Sequence, residues 1–88
     1  MEFQRIFSQP AELLEIADAR VLVRYLDDRF FSRREYSISK NLVLRSGPIR
    51  PVQRMRAALE VLVSQREVHV RQDRAKRYWI EKGPDPRD

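Results

Sequence analysis

The sequence has no cysteine and only two glycines among its 88 residues. Without cysteine, the chain can form neither a disulfide nor a thiolate metal site. His69 is its only histidine and has no carboxylate cluster at metal-ligand spacing, so we expect no metal site. The chain also lacks a glycine-rich phosphate loop, an HExxH helix and an identifiable nucleophile–base pair. We therefore predict that the domain is not an enzyme and uses no cofactor.

Long apolar runs are missing as well. None approaches the roughly 18 residues that span a bilayer, and the N-terminal MEFQRIF lacks the cationic start and apolar stretch of a signal peptide. We expect a cytoplasmic protein that does not associate with membranes. A chain of this length forms one small domain. We place it at residues 10–82, between an N-terminal arm or linker at 1–9 and a disordered tail at 83–88.

Positive charge is concentrated in the second half of the chain. The net charge is +5. Residues 1–44 carry seven Lys/Arg and seven Asp/Glu, whereas residues 45–88 carry eleven and six. An excess confined to one half indicates a polyanionic partner. The alternative is that arginine, with 15 of the 18 basic residues, is simply frequent in this composition.

The stretch that follows Pro48 predicts an amphipathic helix. Pro51 suits a first helical turn, and the apolar spacing continues to about Gln65. The residues expected on the buried face are Val52, Met55, Leu59, Leu62 and Val63. Those expected on the opposite face are Arg50, Gln53, Arg54 and Ala57. Two arginines and an amide around a small alanine suit close approach to a ligand.

A basic hairpin is predicted directly after this helix. EVHVRQ and RYWIEK alternate as strands do, and DRAK between them is a polar turn. We expect Val68, Val70, Tyr78 and Ile80 to face inward, and His69, Arg71, Arg77, Trp79 and Glu81 to face outward. Trp79 would then either cover the N-terminal segment, with Phe3 or Phe7 as its partner, or anchor a protein interface.

The first half predicts one or two further helices. Pro10 suits a helix start, and the sequence is helical in character to Phe30, with an apolar stripe at Leu14, Ala17, Val21, Leu22, Tyr25 and Leu26. Asp18 can cap a second helix within this segment. Ser32 and Glu35 form an S-x-x-E capping box, with Phe31 and Tyr36 as a hydrophobic staple. This pattern predicts a helix from Arg33 to about Lys40, followed by a loop over 41–47.

Three helices followed by two strands are the element order of a winged helix-turn-helix, an α+β fold with a three-helix core and a C-terminal two-stranded β-hairpin wing. The segment VQRMRAALEVLVSQREVHVRQDRAKRYWIEK resembles the C-terminal winged-helix segment of primase–helicase-like replication proteins of phages, plasmids and mobile elements. Ala58, Leu59 and Leu62 match the helix of that pattern, and RYWI matches its RYxI strand. Arg66-Glu67-Val68 departs from it, because the family pattern has Gly-Trp-Leu there.

The resemblance implies a module that binds duplex or forked DNA, with the helix from Pro51 in the major groove and the hairpin wing on phosphate. The candidate DNA-binding residues are Arg33, Arg34, Lys40, Arg45, Arg50, Gln53, Arg54, Arg71, Arg74, Lys76 and Arg77. Solvated basic faces would show the same residues. Two other functions fit the fold: docking to a protein partner, such as a replication helicase, a primase or the rest of a longer chain, and transcriptional regulation. The sequence shows no heptad seam for a dimer, which disfavours the regulator.

Overall fold

The computed structural model describes the backbone of residues 2–33 and 37–87, and the side chains of 13–32 and 37–87. The chain begins with one long helix, α1 (Glu2–Arg29). The predicted start at Pro10 is therefore wrong, and of the two alternatives for this segment the structure has one helix, without a cap at Asp18. Residues 2–9 are helical backbone continuous with α1, and Pro10 lies inside the helix, where its missing N–H removes one backbone hydrogen bond. Phe3 and Phe7 have side chains outside the described residues.

The face that α1 turns to the core differs from the predicted stripe. Ala19, Leu22 and Leu26 are fully buried, whereas Leu14 and Val21 are about half exposed. The predicted stripe lies to one side of the buried face, since it included Leu14 and Val21 and left out Ala19. Asp18 is also buried beside Ala19, on the side that faces α3.

The segment after α1 contains a short strand that the sequence did not indicate. A 3-10 helix (Phe31–Arg33) leads to strand β1 (Ser37–Ser39) and helix α2 (Lys40–Ser46). The helix predicted from Arg33 to about Lys40 is wrong, because Ser37–Ser39 form a strand. The Ser32 hydroxyl donates to the Asp28 carbonyl at 3.2 Å, whereas Glu35 and Tyr36, the other members of the predicted capping box and staple, lie outside the described residues. Ser39 caps α2 instead and accepts the Leu42 N–H. The predicted loop over 41–47 is consequently mostly helix.

Helix α3 (Val52–Ser64) agrees closely with the prediction. Its C-terminal end is a Schellman turn: the Glu67 N–H donates to Leu62 O and the Arg66 N–H donates to Val63 O, both at 3.0 Å. Arg66 occupies the left-handed position of this turn, with φ of 61°. The chain then enters β2 (Val68–Gln72) at once, as the tight connection in the sequence predicted.

The sheet has three antiparallel strands in the order β1-β3-β2, with β3 (Tyr78–Lys82) in the centre. Ile80 lies between Ile38 and Val70 in register. Ile38, Val68 and Ile80 pack with the buried side chains of α1, α2 and α3 in one core. The predicted α+β class and three-helix core with a C-terminal hairpin are confirmed, and β1 adds an edge strand to the hairpin.

The C-terminal segment folds against the outer face of the sheet. The Gly83 N–H donates to Glu67 O at 2.8 Å, and His69 Nδ1 lies 3.0 Å from Gly83 O. His69, predicted to face outward, is therefore only 8% exposed. Both contacts are made by Gly83, the first residue of the segment predicted as a disordered tail. No helix in the described part of the chain is long and apolar enough to cross a membrane.

Candidate nucleic-acid interface

Three arginines meet in a surface groove between α2 and the start of α3. Arg45, Arg50 and Arg56 line it together with Asn41, Leu44 and Val52. The Arg50 guanidinium donates to Arg45 O at 2.6 Å, in the last turn of α2. A cation is favourable there because it faces the negative end of the helix dipole. This contact fixes Arg50 beside Arg45 and produces a dense positive charge.

A second groove lies between α3 and the hairpin. Lys40 and Arg56 stand at its margin, and its apolar side chains are Leu59, Val63 and Val70. Arg56 lines both grooves, so the two form one continuous surface. Helices α2 and α3 thus present their cations on the side from which the hairpin extends.

A cation–π contact connects this surface to the wing. The Lys40 ammonium lies 5.2 Å from the centre of the Tyr78 ring, which is 46% exposed. Tyr78 follows Arg77, the last residue of the wing turn. The Lys40–Tyr78 contact places α2 beside the start of β3. We group the cations of the two grooves with those of the wing turn and call them the basic surface. It consists of Lys40, Arg45, Arg50, Arg56, Arg74, Lys76 and Arg77.

The wing turn is held by Asp73. Its carboxylate accepts the Trp79 indole N–H and the Arg77 backbone N–H, each at 2.9 Å. The Trp79 hydrogen bond, followed by that from Arg77, lowers the pKa of Asp73. Lys76 adopts a left-handed conformation and donates its N–H to Asp73 O. Trp79 thus braces the turn, a role that the sequence did not suggest, and the turn presents its three exposed cations from a fixed backbone.

Within the part of the chain that the structure describes, the cations of the basic surface make no direct ion pair, although Glu60 lines the second groove and Asp73 lies in the wing turn. The carboxylates of Asp18, Asp27, Glu67, Glu81 and Asp85 pair with cations elsewhere. Among residues with described side chains, none of the seven cations of the basic surface lies within ion-pair distance of a carboxylate. Unneutralised cations favour a polyanionic ligand.

Two candidate residues are engaged within the fold. Arg54 donates twice to the Asp18 carboxylate, at 3.1 and 2.8 Å, and this hydrogen bonding raises the pKa of Arg54. It therefore joins α3 to α1 rather than projecting freely beside Gln53. Arg71 donates to Glu81 at 2.9 Å on the outer face of the sheet. Burial opposes ionisation of Glu81, but the hydrogen bonds from Arg71 and His69 outweigh it and lower the pKa of Glu81.

Sequence reasoning missed Arg56. The predicted face included Val63, which is 39% exposed, and left out Ala58, which is fully buried. At about 100° per residue, this exchange turns the true buried face by roughly 40°. The rotation moves Arg54 toward α1 and brings Arg56 onto the basic surface. Ala58 was the residue in the sequence that could have indicated the true buried face, because a small side chain allows helices to pack closely.

The remaining candidates are Gln53, Arg33 and Arg34. Gln53 is exposed on α3, as predicted, and the acidic Glu60 is exposed two turns further along. Arg33 ends the 3-10 helix and its side chain lies outside the described residues, as does all of Arg34. The helix on which both were predicted does not begin until Lys40.

A family model described as the YfjI-like C-terminal winged helix domain matches residues 17–80 of the chain. The match begins within α1 and ends in β3, so it includes α2, α3 and the whole wing turn. No curated protein and no solved structure matches the chain.

Proposed function

Because the chain belongs to the family of YfjI-like C-terminal winged helix domains, we propose that it binds duplex or forked DNA through the basic surface. The observation that carries this proposal is the pair of adjoining grooves lined by Lys40, Arg45, Arg50 and Arg56, with Lys40 in contact with Tyr78 at the start of β3. Binding alone, without a catalytic step, is the proposed activity, and the cytoplasm is the proposed location.

We infer different contacts for different parts of the basic surface. Helix α3 would lie in the major groove with Arg50, Gln53 and Arg56 near the base edges, since Arg pairs with guanine and Gln with adenine. Arg45 and the wing cations would contact phosphate, which positions the domain without reading sequence. Arg54 has no part in these contacts, because Asp18 holds it.

A role in the replication of a mobile element is the finer part of this proposal. It is supported by the resemblance of the α3–β3 segment to the winged-helix segment of primase–helicase-like proteins. In that setting, the module would hold such a partner, or the rest of a longer chain, on DNA.

Fluorescence anisotropy with labelled duplexes at several salt concentrations tests the proposal. Arg56→Ala should weaken binding and change sequence preference. Arg74→Ala should weaken binding to all sequences equally and reduce the slope of log K against log salt by about 1. Arg24→Ala is the matched control, because Arg24 is an exposed arginine on α1, outside the basic surface. The proposal fails if Arg56→Ala and Arg74→Ala bind no more weakly than Arg24→Ala.

Protein docking is a second candidate, favoured by the exposed apolar residues of α1. Leu13 is 65% exposed, and Leu14, Ile16 and Val21 are each nearly half exposed. We propose a second copy of the chain as the partner of this face, since Leu13, Leu14 and Ile16 precede Asp18, the first buried residue among the described side chains of α1. Light scattering across a concentration series would show a rising mass for the wild type and a constant mass for Leu13→Glu.

A further inference from the structure

We propose that the groove between α3 and β2 holds one unpaired nucleobase, so that the domain prefers DNA with a single-stranded extension to a blunt duplex. This inference rests on the proposed DNA binding, because the groove lies within the basic surface. It adds a base-binding site to a surface that otherwise offers contacts to duplex DNA only.

The shape of the groove suits a base. Its volume is about 360 Å³, near the lower end of the range of about 300–1,000 Å³ for small-ligand sites. Leu59, Val63 and Val70 provide apolar side chains against which a flat ring can lie. In a duplex, both faces of each base are covered by stacking, so only an unstacked base can use such a groove.

The charges around the groove match a nucleotide rather than a phosphate chain. Lys40 and Arg56 stand at its margin and can contact the phosphates on either side of an inserted base. Glu60 also lines the groove. A carboxylate repels phosphate, so backbone binding gives Glu60 no role. It accepts a hydrogen bond from the exocyclic amino group of cytosine, however, and thymine has no such donor. We therefore expect a preference for cytosine over thymine in the extension.

The experiment compares the full chain on four DNAs: a blunt duplex, and the same duplex with a cytidine, a thymidine or an abasic single-stranded extension. Abasic nucleotides keep the phosphates and remove the bases. The wild type should bind the cytidine extension about fivefold more tightly than the abasic one, which corresponds to about 1 kcal/mol. Val63→Gln is the principal variant, because it adds a neutral polar group to the groove at an already exposed helical position.

Val63→Gln should reduce the difference between cytidine and abasic extensions to less than twofold and leave blunt-duplex affinity unchanged. Glu60→Ala should remove the preference for cytidine over thymidine, because it removes the acceptor for the cytosine amino group. It provides a second test if Val63→Gln does not fold. Equal binding of cytidine and abasic extensions by the wild type overturns the inference, and is also the result expected if an apolar segment of a protein occupies the groove. Failure to bind any of the four DNAs contradicts the proposed function instead.

Discussion

Replacing Arg66 with glycine should stabilise the domain. Arg66 lies in the left-handed region, with φ of 61°, at the Schellman turn between α3 and β2. This conformation costs an L-residue roughly 1–2 kcal/mol, because its Cβ approaches the backbone. Glycine avoids that cost but loses more conformational entropy on folding, by about 0.5–1 kcal/mol. The balance favours Arg66→Gly by about 0.5–1 kcal/mol, or about 2–8 °C in melting temperature for a domain of this size.

Thermal unfolding followed by circular dichroism measures the effect. Arg66→Ala is the matched control, because it removes the same charge and side chain but keeps the Cβ that causes the cost. It should melt no higher than the wild type. If Arg66→Gly melts no higher than Arg66→Ala, the stabilising role of glycine at this turn is refuted. A higher melting temperature would also explain why the family pattern has glycine at the position of Arg66.

Three further predictions concern contacts within the fold. Arg54→Ala and Asp18→Asn should each lower the melting temperature. Folded Arg54→Ala should nevertheless bind DNA as tightly as the wild type does. A loss of DNA affinity as large as that of Arg74→Ala would contradict this. The depressed pKa of Asp73 means that its contribution to stability is present above the unfolded value of about 3.9 and is lost as the pH falls through the lower folded value. Trp79→Phe should therefore destabilise the domain at neutral pH. Between about pH 5 and pH 3, its melting temperature should fall by less than that of the wild type, which thermal unfolding at a series of pH values measures. Gly47→Ala should lower the free energy of unfolding, measured in urea, by about 1–3 kcal/mol. The new Cβ would lie 2.5 Å from Val43 O, a backbone atom that cannot easily move. Unchanged stability would show that the backbone adapts there.

The sequence was most informative where structure depends on neighbours along the chain. Pro51 and the apolar spacing after it located α3 almost to the residue, and alternation placed Val70 and Ile80 on one face of the hairpin. Both features arise from local periodicity, which the order of residues records directly.

The sequence failed where distant contacts decide the structure. Strand β1 has only three residues and exists because it pairs with β3, some 40 positions later in the chain. Ser32 and Glu35 satisfied the spacing of a capping box, yet Ser39, next to that strand, caps α2. Asp18 has the appearance of a helix cap in the sequence, and only the packing of α1 on α3 shows it to be the partner of Arg54.

The difference between local patterns and distant contacts also determines what charge in a sequence says about function. The excess of arginine in the second half predicted a polyanion-binding region there, but it could not separate Arg54 from Arg56, two residues apart on one helix. Arg54 is neutralised by Asp18, 36 positions earlier in the chain, whereas Arg56 has no such partner among the described residues. A cation is available to a ligand only if the fold leaves it unpaired. Whether a basic segment can bind a polyanion therefore depends on the acidic residues that the fold brings to it. In this protein the acidic residues that form ion pairs lie against α1 and the outer face of the sheet.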